Sequence, residues 1–183
     1  AGHLREAFLD AWQHAVDPLQ ICLYSLLVVT GIGPHAQVFF DGQAREDAAP
    51  FGHQRHALAH AQVGRHVSEV VRILQGRHAA GLTSEAVIIH TGNNGPLTVG
   101  QVDAMVEAAG GARVVLVTVR VGRAWEDGNN AIIRAAAGRW GNVRVADWYE
   151  ATEGHGELFH SDGIHVGAEG GQLFATIVAW AVN

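Results

Sequence analysis

Near the end of the chain, Ser161-Asp162-Gly163-Ile164-His165 sets a carboxylate three residues before an imidazole, across a glycine. One turn of that kind can bring Asp162 against Nδ1 of His165. This would fix the ring tautomer and support the imidazolium formed when Nε2 takes a proton. Such a pair is half of a hydrolytic triad. The same residues would also make a surface turn whose Asp caps the following helix, and spacing alone favours that plainer role.

A second group, His90-Thr91-Gly92-Asn93-Asn94-Gly95, directly follows an apolar run. An asparagine at a strand's carboxyl end can aim its amide N–H at a developing oxyanion, with glycines allowing close approach of substrate and backbone. Taken alone, Asn-Asn-Gly is more often a turn. His53, His56, His60 and His66 raise the question of a metal, since His56 and His60 at i, i+4 would share a helix face. No Glu completes a zinc-protease pattern, and a solvated, histidine-rich loop accounts for them better. Of Trp125, Trp140, Trp148 and Trp180, most read as core or edge packing. Trp125 is the candidate for stacking on a sugar face.

The elements that must position these groups can be read from periodicity. Leu4, Phe8, Ala11, Trp12 and Ala15 fall at helical spacing and predict an N-terminal helix ended near Pro18, with residues 1–20 as helix or linker. Tyr24 to Thr30 is a continuous apolar, β-branched run closed by Gly31-Ile32-Gly33-Pro34, as expected of a buried strand. Leu58 to Val63, Ala86 to His90, Val114 to Val121 and Val143 to Ala146 repeat that pattern, each running into glycine or polar residues. Helical patterns lie at Val67 to His78, Thr98 to Ala109, Asn129 to Arg139 and Ala168 to Val182. Alternating strands and helices predict right-handed βαβ crossovers and a parallel sheet covered on both faces. Such sheets bind ligands beyond the carboxyl ends of their strands. Gly33, Gly64, Asn94 and the loops after Arg120 and Asp147 would share that edge. Between His35 and His60 no period is clean, and the segment reads as helix or loop.

Length and composition set outer limits. With 183 residues, close to half of them apolar, the chain is long enough for one substantial core, so 1–183 is taken as one domain. The formal charge is −6 and every basic residue is Arg, with no basic run to follow a phosphate backbone; no nucleic-acid partner is expected. Cys22, the single cysteine, can form no internal disulfide and reads as a small buried hydrophobe. The most apolar stretch, Ile21 to Val29, is too short to cross a bilayer, and no membrane span is expected in this chain. No cofactor and no metal is called for by these residues.

Taken together and in order, these pieces resemble the SGNH hydrolases. More narrowly, they resemble the soluble domain attached to membrane O-acyltransferases that acetylate peptidoglycan and other cell-envelope glycans. Four stretches carry the likeness: Val28-Val29-Thr30-Gly31-Ile32-Gly33, Ala61-Gln62-Val63-Gly64-Arg65, His90 to Leu97, and Asp162-Gly163-Ile164-His165. Trp125 to Asn130 and Val145 to Tyr149 support it. The likeness is close from about Ala61 onward and poor before, with 34–60 the poorest match. It implies a three-layer α/β/α sandwich on a five-stranded parallel, flavodoxin-like sheet. It also implies a small acyl ester or glycan as substrate, a cell-envelope location and attachment to a larger membrane acyltransferase. By the resemblance, the backbone N–H of Gly64 and the side chain of Asn94 form an oxyanion hole, His165 is the general base and Asp162 orients it.

One role finds no residue. Family members carry Gly-Asp-Ser after the first strand, whereas Gly33 is followed here by Pro34-His35, and a gapless count back from Gly64 reaches Asp41-Gly42. Thr30, Ser68 and Ser161 are weak substitutes as nucleophile. Loss of a triad serine leaves about a thousandfold to ten-thousandfold catalysis over water in the protease precedent. Three readings follow. The chain is an esterase or O-acyltransferase with a different nucleophile or a water activated by His165, or a catalytically inactive module that binds acylated saccharide or a partner protein, or the product of a frame error across 34–60.

Overall fold

The computed structural model describes residues 26–30, 36–39, 66–81 and 86–182. At its centre three strands run parallel: β3 (Ala86–His90), β4 (Arg113–Val117) and β5 (Val143–Ala146). All five residues of β3 are buried, as expected of a strand covered on both faces. Successive side chains alternate between two cores. Val87, Ile89, Val114, Leu116 and Val143 face one, while Ala86, Ile88, Val115, Val117 and Ala146 face the other.

Three helices cover the first face: α1 (Val67–Ala79), α2 (Val99–Ala108) and α3 (Glu126–Arg139). Val67, Val70, Ile73 and Leu74 of α1 are buried at i, i+3, i+6, i+7, the stripe that a surface helix turns to its core. Helix α2 starts with a reciprocal capping box between Thr98 and Gln101. The short α4 (Trp148–Ala151) follows β5, and α5 (Ala168–Val182) covers the second face through Phe174, Ala175, Val178, Ala179 and Val182. Helices on both faces of a parallel sheet make this an α/β fold.

The expected sheet of five parallel strands needs correction. Two further strands, β1 (Leu26–Thr30) and β2 (Ala36–Phe39), extend the sheet in the order β2-β1-β3-β4-β5, but β1 lies antiparallel to β3 and β2 antiparallel to β1. The parallel part is therefore three strands. Only residues 31–35 separate β1 from β2, far fewer than the dozen or so that a parallel crossover requires. Strand β2 falls in the stretch read as helix or loop. The N-terminal helix over 4–15, the strand over 58–63, Cys22 and Gly64 lie outside the described residues. Among the described residues, no helix is long and apolar enough to cross a membrane.

Candidate active site

The direction of α5 decides where the Asp162–His165 turn sits. At its far end, the carbonyl of Val182 accepts a hydrogen bond from the Arg113 guanidinium at the start of β4. Earlier in the helix, the Phe174 ring lies 5.3 Å from His90, the last residue of β3, and 5.3 Å from Trp148, which follows β5. Helix α5 thus runs against the strands, and its first turn lies at their carboxyl ends. The preceding segment is pinned there too. Phe159 bridges Val166, the His160 N–H donates to the His165 carbonyl at 2.7 Å, and the Phe159 ring packs 5.8 Å from Trp148.

Within that pinned turn, Asp162 Oδ2 lies 2.5 Å from His165 Nδ1. Its Oδ1 accepts the backbone N–H groups of Ile164 and His165, each at 2.9 Å. Asp162 therefore builds the turn with one oxygen and engages the imidazole with the other; it does not cap α5. Gly163, at φ +69°, takes the left-handed conformation that the tight return needs. The bond to His165, followed by the two backbone N–H groups, holds the Asp162 carboxyl well below its ordinary range. With Nδ1 engaged by a carboxylate, Nε2 is the ring atom left to exchange a proton.

Asn94 sits at the carboxyl end of β3 on the Thr91–Leu97 loop. Its Nδ2 is buried and, among the described residues, donates to no group, a costly state for an amide and therefore one that calls for a ligand or a chemical role. The turn-brace role belongs to a different residue. Asn129, 1 % exposed on the first turn of α3, donates from Nδ2 to the carbonyls of Gly92 and Gly95, both at 2.9 Å, and accepts the Leu97 N–H at 2.7 Å. Gly92 is required twice over: its φ is +102°, and a Cβ there would fall 2.9 Å from Asn129 Nδ2. Asn130 beside it clamps both backbone groups of Val119 after β4, at 2.8 and 2.9 Å.

Asn94 borders a cavity of about 310 Å³ between the start of α1 and this loop, walled also by His66, Ser68, Thr91, Pro96 and Gln101. That volume is at the lower end for small-molecule sites. Among the described residues, His165 is not part of this wall.

No family model matches the chain. It is 31% identical over 121 residues to the peptidoglycan O-acetyltransferase OatA of Listeria monocytogenes, covering 66% of this chain and 19% of that protein. It is likewise 31% identical over 124 residues to the O-acetyltransferase OatA of Staphylococcus aureus, covering 67% and 21%. The chain resembles the C-terminal domains of peptidoglycan O-acetyltransferases. In fold, it matches the C-terminal catalytic domain of Streptococcus pneumoniae peptidoglycan O-acetyltransferase A with a TM-score of 0.58 at 24% identity, over 66% of this chain and 76% of that one. The chain spans about a fifth of the length of the full O-acetyltransferases it matches.

The site residues read from sequence fall in different places. Asp162 and His165 are in direct contact, and Asn94 shares their sheet edge. Gly64 lies outside the described residues, as do His53, His56 and His60. Of the substitute nucleophiles, Thr30 is ruled out by position, since it ends antiparallel β1 beside Ala86 at the start of β3, the edge opposite the Asp162–His165 turn; Ser161 is exposed beside Asp162, and Ser68 is exposed on the first turn of α1 at the cavity. His66 precedes α1 and is exposed at the same cavity. Among the described residues no three metal-ligating side chains come together.

The tryptophans also divide. Trp148 is buried, Trp140 donates to Asp103 at 2.8 Å, and Trp180 is 66 % exposed, contrary to the expectation of packing. Trp125 is half-buried at the start of α3, its Nε1 without a partner among the described residues. Sequence reasoning missed Asn129. Its signal was there, because two adjacent asparagines inside a helix are poor helix formers and need a reason to be tolerated.

Proposed function

We propose that this chain carries the ester chemistry of an SGNH-type esterase or O-acyltransferase acting on small acyl, chiefly acetyl, esters of cell-envelope glycans, within a larger membrane acyltransferase. The observation that carries the reading is the Asp162–His165 contact at the strand edge, which leaves Nε2 to act as base. The likeness to peptidoglycan O-acetyltransferases supports the substrate class.

In this scheme His165 Nε2 takes the proton of a water or acceptor hydroxyl as its oxygen attacks the acyl carbonyl. Negative charge gathers on the carbonyl oxygen, where the free Asn94 amide and the Gly64 N–H donate. The tetrahedral adduct then collapses, the ester C–O bond breaks, and the imidazolium returns its proton to the departing alkoxide. Asp162 holds the ring and balances its charge throughout. With Pro34-His35 after Gly33 in place of Gly-Asp-Ser, the proposed scheme uses no serine and runs as a single displacement. Turnover of a chromogenic acetyl ester, abolished by His165→Ala, is the expected result. An inert wild-type protein would exclude the enzyme reading for such esters.

The same Pro34-His35 sequence favours a second reading, a binding module that keeps the pocket without the chemistry. Saccharide binding measured by titration and unaffected by His165→Ala would support it.

A further inference from the structure

Asn129 makes three hydrogen bonds to backbone groups 32 to 37 residues away, all within the loop that carries Asn94. The pattern is selective. Its two amide hydrogens go to Gly92 O and Gly95 O, which bracket Asn94, and its oxygen accepts the Leu97 N–H at the end of the loop. A buried amide satisfied on both ends cannot rotate without leaving two carbonyls and an N–H unpaired, which fixes the loop rigidly. Meanwhile Asn94, held between those two points, keeps its Nδ2 donor uncommitted. An oxyanion donor gains its value from being aimed before the charge forms, so whatever holds the loop sets that value.

We infer that Asn129 is the positioning residue of this site: it fixes the Gly92–Gly95 turn and so holds the Asn94 amide, buried and unpaired among the described residues, at the edge of the cavity where a small shift would let it donate to an oxygen ligand. This rests on the oxyanion role proposed for Asn94. Asn129 itself touches no substrate.

Asn129→Asp is nearly isosteric, but it turns a donor into an oxygen facing the carbonyls of Gly92 and Gly95. On a chromogenic acetyl ester it should lower kcat by roughly a hundredfold, the scale of one lost oxyanion donor, and leave KM within about twofold. Combined with Asn94→Ala, it should cost nothing further, since both changes remove one donor. Asn130→Asp, which disturbs the neighbouring clamp on Val119, controls for general damage and should leave kcat within a few fold. Independent multiplication of the Asn94 and Asn129 effects would overturn the inference, as would an Asn130→Asp loss equal to that of Asn129→Asp. If the wild-type protein turns over no ester, the proposed function fails and the inference is judged by NMR instead. Asn129→Asp should move the Asn94 side-chain amide resonances and leave those of Asn142, bonded at 2.7 Å to Ala112 O, in place. Unmoved Asn94 resonances would overturn it.

Discussion

The two oxygens of Asp162 do separate work, and a single substitution can part them. One receives the N–H groups of Ile164 and His165 and builds the turn, while the other meets Nδ1 of His165. In Asp162→Asn the amide oxygen can still accept both backbone N–H groups, so the turn survives. Its NH2 cannot accept from Nδ1–H. The ring then favours the tautomer with the proton on Nε2, where it can take no other. Because the proposed scheme runs without a serine, kcat should fall by more than about tenfold rather than by the full protease precedent, with only a small loss of Tm from the missing carboxylate–imidazole contact. Asp162→Ala removes both oxygens and should lose the turn as well as the turnover, with a lower Tm. An Asn variant that retained more than about a tenth of wild-type kcat would reduce Asp162 to a builder of the turn.

At the scale of elements, the join between α5 and the turn of 3-10 helix at Gly156–Leu158 decides how firmly His165 is held. Gly170 lies on the first turn of α5 and is buried; a Cβ there would fall 2.6 Å from the Leu158 carbonyl oxygen and 2.9 Å from Val166 Cβ. Glycine inside a helix normally costs ~0.5–1 kcal/mol against alanine, so propensity alone favours Gly170→Ala. Contact opposes it and is the stronger effect here. The carbonyl cannot swing aside because the Gly167 N–H binds it at 2.9 Å, so the helix start or the 3-10 turn must move. Gly170→Ala is therefore expected to destabilise by ~1–3 kcal/mol, as overpacking does, and to disturb the Phe159–Val166 bridge beside His165. Gly138→Ala on α3, exposed and with nothing within 4 Å, should instead stabilise by up to ~1 kcal/mol. Urea midpoints that shifted in the same direction for both variants would show that helix propensity, not the close contact, governs Gly170.

Across the whole molecule, what could be read from sequence was what local pattern dictates. The bounds of β3, β5 and α5 were legible because an apolar run or stripe marks each from end to end. Strand β4 stops at Val117 rather than Val121 because Val119 pairs with the Asn130 side chain instead of with a neighbouring strand. Strand β1 was legible as a strand within Tyr24 to Thr30, but its antiparallel direction and the whole of β2 were not, since periodicity identifies a strand but not its partner or direction. At the site, the Asp162–His165 contact is local and was readable, whereas the Asn129 clamp spans more than thirty residues and was not. The same holds for His90. It read as the edge of a motif, yet it is 4 % exposed with neither nitrogen hydrogen-bonded among the described residues, and burial pushes its pKa down to about 4. Below about pH 6.5 the unfolded chain therefore takes a proton at His90 that the folded chain refuses until about pH 4. Stability is fully present above that window and falls by up to ~3 kcal/mol across it. A second loss follows at lower pH. Asp162 is held below its ordinary value chiefly by the bond to His165. Asp103 is held down chiefly by the Trp140 indole N–H. At Asp147 burial pushes upward but is outweighed by Arg134, the Glu150 N–H and Thr118. Those contributions are present above about pH 3.9 and disappear as the carboxylates protonate. Urea midpoints should thus fall in two stages on acidification. His90→Leu, which leaves no nitrogen to desolvate, should hold its midpoint level between about pH 6.5 and 4.5, equal or exceed wild type at pH 7, and fall only in the lower stage. Wild type and His90→Leu tracking together through the upper window would assign the acid sensitivity to groups other than this buried imidazole.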